Sequence, residues 1–341
     1  MKSKFILLIT LLFGLNCNSQ NFSGIEYLLL VAEDERNQVF QEYLRPLMTS
    51  VNYSMASGWS HTAKTHKKLG FDITLSANAL FIPSSAETYS TSALNSITSS
   101  TEFLPTVLGG ETNETMSITL FGEGSIQELT ASFTAPSGIK EELPLGMVAI
   151  PSIQVGLGLP FKTDLIIRYI PTRSNKNTSM GLKGVGLKHN LLQHFGPADK
   201  IPFIDLSLLA AYSAYSIDYN IQKTSNLGGQ DQQAVMNINN YVIQLVSSID
   251  LKLVTFYASA GYSKGFSNLN ILGSYSLIYS VTDSQEDITL SITDPLIVSW
   301  ENESISANAG LSVNLPGIRI FADYTAQNYN SVSVGVSLGI R

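Results

Sequence analysis

The sequence predicts an all-β membrane protein, a closed antiparallel transmembrane β-barrel of about 12 to 14 strands with a short N-terminal amphipathic helix. Three observations lead there. From about residue 70 to the end, apolar and small or polar side chains alternate with period two. The pattern is cleanest in the last dozen residues, where Val332, Val334, Val336, Leu338 and Ile340 oppose Ser331, Ser333, Gly335, Ser337, Gly339 and Arg341. It recurs too often for one water-soluble core to absorb it. Only 14% of the 341 residues are charged, against roughly 25% in an ordinary soluble domain, so much of the surface faces something other than water. The mean hydropathy of +0.13 is too mild for a helical membrane protein, and beyond residue 15 nothing approaches the ~18 consecutive apolar residues of a spanning helix. A closed barrel is the other structure that satisfies every backbone group in hydrocarbon.

The chain divides into three parts. Residues 1–19 read as a secretory signal peptide: Lys2 and Lys4, an apolar run from Phe5 to Leu15, and Cys17-Asn18-Ser19 as a small-x-small site before Gln20. Cleavage near Ser19 removes Cys17, the single cysteine, so no disulfide framework is expected. The alternative is a lipidated Cys17, which Asn16 fits poorly. Residues 20–60 hold the helix and a linker. Ser23-Gly24-Ile25-Glu26 matches a capping box, Ile25, Leu28, Leu29, Ala32, Val39, Phe40, Tyr43, Leu44 and Leu47 recur at helical spacing, and Pro46 marks the expected end near Met48. The helix is expected to pack against the periplasmic end of the barrel or to plug its lumen.

Residues 61–341 are the barrel. Strands are expected at Phe71 to Phe81, Ile153 to Leu159, Asp164 to Ile170, Met180 to Asn190, Pro202 to Ile221 and Asn239 to Asp250. Further strands are Leu253 to Lys264, Leu269 to Val281, Ser304 to Leu315, Ile318 to Gln327 and the C-terminal run, with weaker alternation at Met116 to Gly122 and Ala131 to Ala135. Short turns fall at Pro160 to Thr163, Leu251-Lys252, Leu315-Pro316-Gly317 and Gln327 to Asn330; longer polar stretches at Ser84 to Ser100, Lys223 to Met236 and Asp283 to Trp300 read as loops outside the cell. Tyr169, Tyr212, Tyr215, Tyr219, Tyr241, Tyr257, Tyr262, Tyr275, Tyr279, Tyr324 and Tyr329 sit near strand ends, where interfacial girdles form.

If Leu165, Ile167 and Tyr169 look outward, Asp164 and Arg168 look inward. The same phase makes Asp205, Asp250, Arg319 and Asp323 candidates for lining the lumen, paired as a structural ladder or bordering a solute path. Enzymatic signals are weak. Gly261-Tyr262-Ser263-Lys264-Gly265 has the letters of a nucleophile elbow but ends a strand among hairpins, where that device needs a strand turning into a helix. His189 and His194 lie five apart, poor spacing for a zinc pair. No catalytic residue, metal or cofactor is assigned. Loss of Lys2 and Lys4 with the signal takes the net charge from −7 to −9, so no nucleic-acid partner is expected.

Tyr43-Leu44-Arg45-Pro46, Ser57-Gly58-Trp59, Gly70-Phe71-Asp72, the hairpin from Ile150-Pro151 to Tyr169-Ile170-Pro171, and Gly184-Val185-Gly186-Leu187-Lys188-His189 together resemble an uncharacterised family of Bacteroidota outer-membrane proteins. That family is more distantly similar to FadL-type channels for hydrophobic solutes. The resemblance implies an outer-membrane barrel with lipid as its surroundings, passing hydrophobic or small amphipathic solutes. It carries no ligand residues. The chain ends in Arg341 where many barrels end in an aromatic. The alternatives are a structural or surface-binding barrel acting through its long loops and, further off, a hydrolase at the barrel rim.

Overall fold

The computed structural model describes residues 28–29, 31, 33–121, 128–174, 177–196, 201–221, 227–280 and 287–340. The signal peptide and the Ser23 capping box expected from the sequence lie outside these residues. Ten antiparallel strands close into one ring: β1 (Phe71–Phe81), β7 (Met147–Leu159), β8 (Thr163–Ser174), β9 (Thr178–Asn190), β10 (Ile204–Asn220), β11 (Leu227–Leu251), β12 (Val254–Ser280), β14 (Leu296–Leu315), β15 (Ile318–Ala326) and β16 (Ser331–Ile340). The first and last strands seal it, Phe71 opposite Ile340 and Leu80 opposite Ser331. A short β13 (Asp287–Thr293) extends the upper part of β12.

The barrel therefore has ten strands, where the sequence led to about 12 to 14. Two expected strands, Leu253 to Lys264 and Leu269 to Val281, are one: the ladder to β14 runs unbroken from Val254 opposite Val313 to Ile271 opposite Leu296. Two others leave the ring. Residues around Met116 and Ala131 form β5 (Thr115–Phe121) and β6 (Glu128–Thr134), which pair with β3 (Ile97–Ser99) in a separate sheet beside the β2 (Thr88–Ser90) and β4 (Phe103–Pro105) pair. The supposed loops Lys223 to Met236 and Asp283 to Trp300 are also mostly strand in their described parts. They belong to hairpins that overshoot the apolar band, where both faces meet different surroundings and the period-two text fades.

Within the band the alternation is regular. On β1, Phe71, Ile73 and Leu75 are exposed outward while Asp72, Thr74, Ser76 and Asn78 are buried inward. Tyr169, Tyr212, Tyr241, Tyr262 and Tyr324 mark one edge of the outer face and Phe71, Phe161, Phe203 and Phe256 the other. Tyr241 and Leu251 stand ten residues apart on β11. At roughly 3.3 Å rise per residue and a tilt of about 40°, that is about 25 Å of apolar height. Tyr257 and Tyr275, expected in the girdle, are buried inside instead.

The helix α1 spans Glu33–Ala56 and runs through Pro46, eight residues past Met48, the end expected from the sequence. Proline removes one hydrogen bond and normally stops a helix, but here packing overrides propensity. From Met48 to Ser57 every residue is buried, Thr49, Ser50, Asn52 and Ser54 included. A helix buried on all sides, polar positions too, is enclosed by the strands, and α1 packs on the inner faces of β1, β7, β11, β12 and β14. Its first half joins the small sheets in a hydrophobic core over one mouth: Val39, Phe40 and Tyr43 meet Tyr89, Leu104, Leu108 and Met116. The inner wall changes to match. Above the girdle it becomes apolar, with Leu182, Ile238, Leu269, Tyr275, Val298 and Trp300 in the same core.

Candidate functional site

The site is the lumen and the segment that fills it. α1 is held to the wall by specific polar contacts: Asn52 Nδ2 donates to Ser267 Oγ (2.7 Å), Thr49 Oγ1 to Asn302 Oδ1 (2.8 Å) and Trp300 Nε1 to the Gln41 carbonyl (2.9 Å). Gly58, at φ +69°, turns the chain out of the helix. Arg168 closes the helix end, its guanidinium donating to the carbonyls of Met55 (3.0 Å) and Ser57 (3.1 Å), where the helix dipole favours a cation. The same guanidinium lies 4.0 Å over the Trp59 ring.

The wall is cut to receive these groups. Trp59 lies against Gly184 and Gly186 of β9; a methyl at either position would come within 3.0 to 3.1 Å of the indole. Gly265 of β12 gives the same room to Asn52, and Gly156 and Gly158 of β7 to His66. Each glycine lies in an otherwise regular strand, where it weakens the ladder unless something approaches closely.

Beyond Trp59 the chain descends to a buried ionic cluster. His66 Nδ1 stands 3.1 Å from Asp164 Oδ2 and Nε2 stands 3.2 Å from Asp72 Oδ2; these are ion-pair contacts whose angles fall short of hydrogen bonds. Lys188 Nζ lies 3.2 Å from Asp164 Oδ2 and donates to the carbonyls of Lys64 and Thr62. The His66 amide donates to Asp164 Oδ1 (2.9 Å), and Ser337 Oγ to Asp72 Oδ2 (3.1 Å). Both ring nitrogens of His66 face a carboxylate, and Asp164 is shared between His66 and Lys188.

The six candidates from the sequence are distributed as follows. Asp164 and Arg168 are buried inward and bind the lumenal segment, not each other. Asp205 accepts from Asn190 Nδ2 (2.7 Å), and Asp250 from Thr255 Oγ1 (2.5 Å). Asp323 accepts from Tyr257 OH (2.8 Å) and Asn308 Nδ2 (2.6 Å), and Arg319 Nε donates to Asn314 Oδ1 (2.5 Å). Sequence reasoning missed Trp59, His66, Asp72 and Lys188. Phase carried the signal for two of them, since Asp72 alternates with Phe71 and Ile73, and Lys188 follows Leu187.

Other sequence signals resolve structurally. Ser263 lies mid-strand, buried on the inner face of β12, with no strand-to-helix turn. His189 and His194 meet with Nε2 atoms 2.9 Å apart and ring centroids 5.2 Å apart, end on as in a hydrogen bond, so their nitrogens do not converge on a common metal position. Among the described residues no helix is long and apolar enough to cross a membrane.

No curated protein matches the sequence. Among solved structures the chain is similar to the outer membrane protease OmpT from Escherichia coli, at 9% identity over 84% of this chain and 100% of that one, TM-score 0.31. It is similar to Ail, the attachment invasion locus protein of Yersinia pestis, at 8% identity over 80% and 100%, TM-score 0.27. It is also similar to the P. putida toluene transporter TodX, at 8% identity over 84% and 93%, TM-score 0.26. At such scores the likeness carries no inference about activity. A family model matches residues 1–340, nearly the entire sequence, and the chain belongs to that family, a family of unknown function (DUF6588).

Proposed function

We propose that this is an outer-membrane channel for hydrophobic or small amphipathic solutes, held closed by its own N-terminal segment. The outward band, apolar for about 25 Å between two aromatic edges, matches the hydrocarbon layer that such barrels cross. The observation that carries the channel reading is the glycine-lined seat. An inert filler needs only an apolar wall, whereas here five wall glycines admit Asn52, Trp59 and His66 at discrete positions. The apolar inner wall of the capped mouth supports an apolar solute, because a polar one would gain nothing from Leu182, Ile238, Leu269 and Val298.

The test locks the segment. Asn52→Cys with Ser267→Cys joins α1 to β12 across a 2.7 Å side-chain contact. In proteoliposomes, flux of a small aromatic hydrocarbon is expected through the reduced double variant and at least tenfold less through the oxidised one. Equal passage in both states excludes gating by this segment. No passage in either, with the barrel folded, favours the structural or surface-binding reading.

A further inference from the structure

We propose that a shallow groove on the outer wall, crossing β9, β10, β11 and β12, binds one acyl chain of a phosphate-bearing membrane lipid; this rests on the outer-membrane placement above. Two outward rows form it. Val185, Tyr212 and Tyr241 lie side by side in register, and Leu187, Ala210 and Ile243 form the next row down. Ala210 is the gap: a methyl between two branched side chains, roofed by tyrosine rings whose centroids are 4.9 Å apart. The groove encloses about 390 Å³, and Tyr262 and Lys264 close its far side.

Its chemistry is graded along the barrel axis. The floor is apolar and lies within the hydrocarbon-facing band. Polar groups stand only at the girdle end, where Tyr212 OH donates to Asn239 Oδ1 (2.7 Å) and Lys264 is engaged by Glu301 and Glu303. Lys183, exposed one outward position above Val185, brings an ammonium to the level where lipid phosphates lie. An alkyl chain below and an anionic headgroup above satisfy both ends; a free hydrocarbon leaves Lys183 unused.

The full-length protein is titrated in detergent with phosphatidylglycerol and, separately, with diacylglycerol of the same chains, and retained lipid is read by native mass spectrometry. One phosphatidylglycerol is expected to remain bound, at about five- to tenfold lower concentration than diacylglycerol, a preference that Lys183→Gln removes. Ala210→Phe, which fills the groove, is expected to lose the adduct; Ala322→Phe, outward on β15, is expected to keep it. Equal retention by Ala210→Phe and wild type overturns the proposal, as does equal retention of the two lipids. A folded, heat-modifiable barrel that retains no lipid overturns the groove alone, whereas a protein that stays folded and soluble without detergent overturns the membrane placement itself.

Discussion

Trp59 is the residue on which the lumenal segment turns. It fills the recess left by Gly184 and Gly186 and lies under Arg168, so Trp59→Ala removes a buried ring and leaves a cavity, costing about 3 to 5 kcal/mol. The drop is expected in the temperature at which the barrel loses its heat-modifiable gel mobility, and an unchanged temperature would show that the seat contributes nothing. In the ionic cluster Asp164→Asn removes the carboxylate that the buried Lys188 ammonium faces at 3.2 Å, a loss of about 3 to 5 kcal/mol for a buried pair broken on one side. Adding Lys188→Met is expected to recover part of that loss, since the second substitution removes the buried charge that Asp164 faced. At the capped mouth Glu35 is set differently. Burial acts to raise its carboxyl, but the Ser96 hydroxyl and the Asn95 and Ser96 amides donate to it and hold it below the ordinary carboxylate range. A depressed folded-state value means the contact stabilises above the unfolded value, about 4.3, and is lost as pH falls through the lower folded value. The protection of the Asn95 and Ser96 amides, taken relative to intrinsic exchange at each pH, is expected to be high at neutral pH and to fall in acid, with Glu35→Gln lacking that acid step.

At the scale of the element, period two was legible where a strand has lipid-like apolarity on one side and polar contacts on the other. β1, β7, β8 and β16 keep the phase read from the sequence, down to the inward Asp164 and Arg168. The reading failed where that contrast vanishes. Above the girdle β11 and β12 are apolar inside and carry Asn237, Asn239, Asn268 and Asn270 outside, so their extensions passed for loops, and the strand expected to end at Lys264 runs on through Gly265, a recess for Asn52. Pro46 misled in the same way, because a lumen that encloses the helix compensates a hydrogen bond that propensity counts as lost. The ionic cluster was illegible since its members come from β1, β8, β9 and a linker. The wall nevertheless makes a depth-dependent prediction. Val334→Arg, outward on β16 one position inside the Tyr324 level, is expected to cost about 2 kcal/mol, whereas Asn268→Arg, outward on β12 beyond the tyrosines, should cost about 1 kcal/mol or less. Ser333→Arg gives no mild control: Ser333 is fully buried in the packed lumen, and a guanidinium there would clash. Equal damage from Val334→Arg and Asn268→Arg in urea unfolding from vesicles would show that the girdle does not mark the edge of the hydrocarbon.

For the whole molecule, the consequence of this packing is a direction. Leu28, Leu29 and Val31 are buried in the capped mouth, α1 runs inward from there, and His66 lies near the opposite rim, where Gly70 leads into β1. The chain is thus threaded through its own barrel, packed into the capped mouth at one end and continuous with β1 at the other. Short turns at 160–162, 252–253 and 316–317 share the rim with the start of β1, while the small sheets and overshooting hairpins share the other. In outer-membrane barrels the short turns face the periplasm, so on the membrane placement proposed above the cap, and with it the first turn of α1, is expected at the cell surface. Glu141 and Glu142 are exposed on that cap, whereas the hairpin strand β11 is tied to β12 from Leu227 and into ladders on both sides from Gln233 onward. A glutamate-specific protease added to intact cells is therefore expected to cut at Glu141-Glu142. An epitope inserted at Gly317 should stay hidden until the envelope is opened, and its appearance on intact cells would reverse the orientation and put the capped mouth in the periplasm.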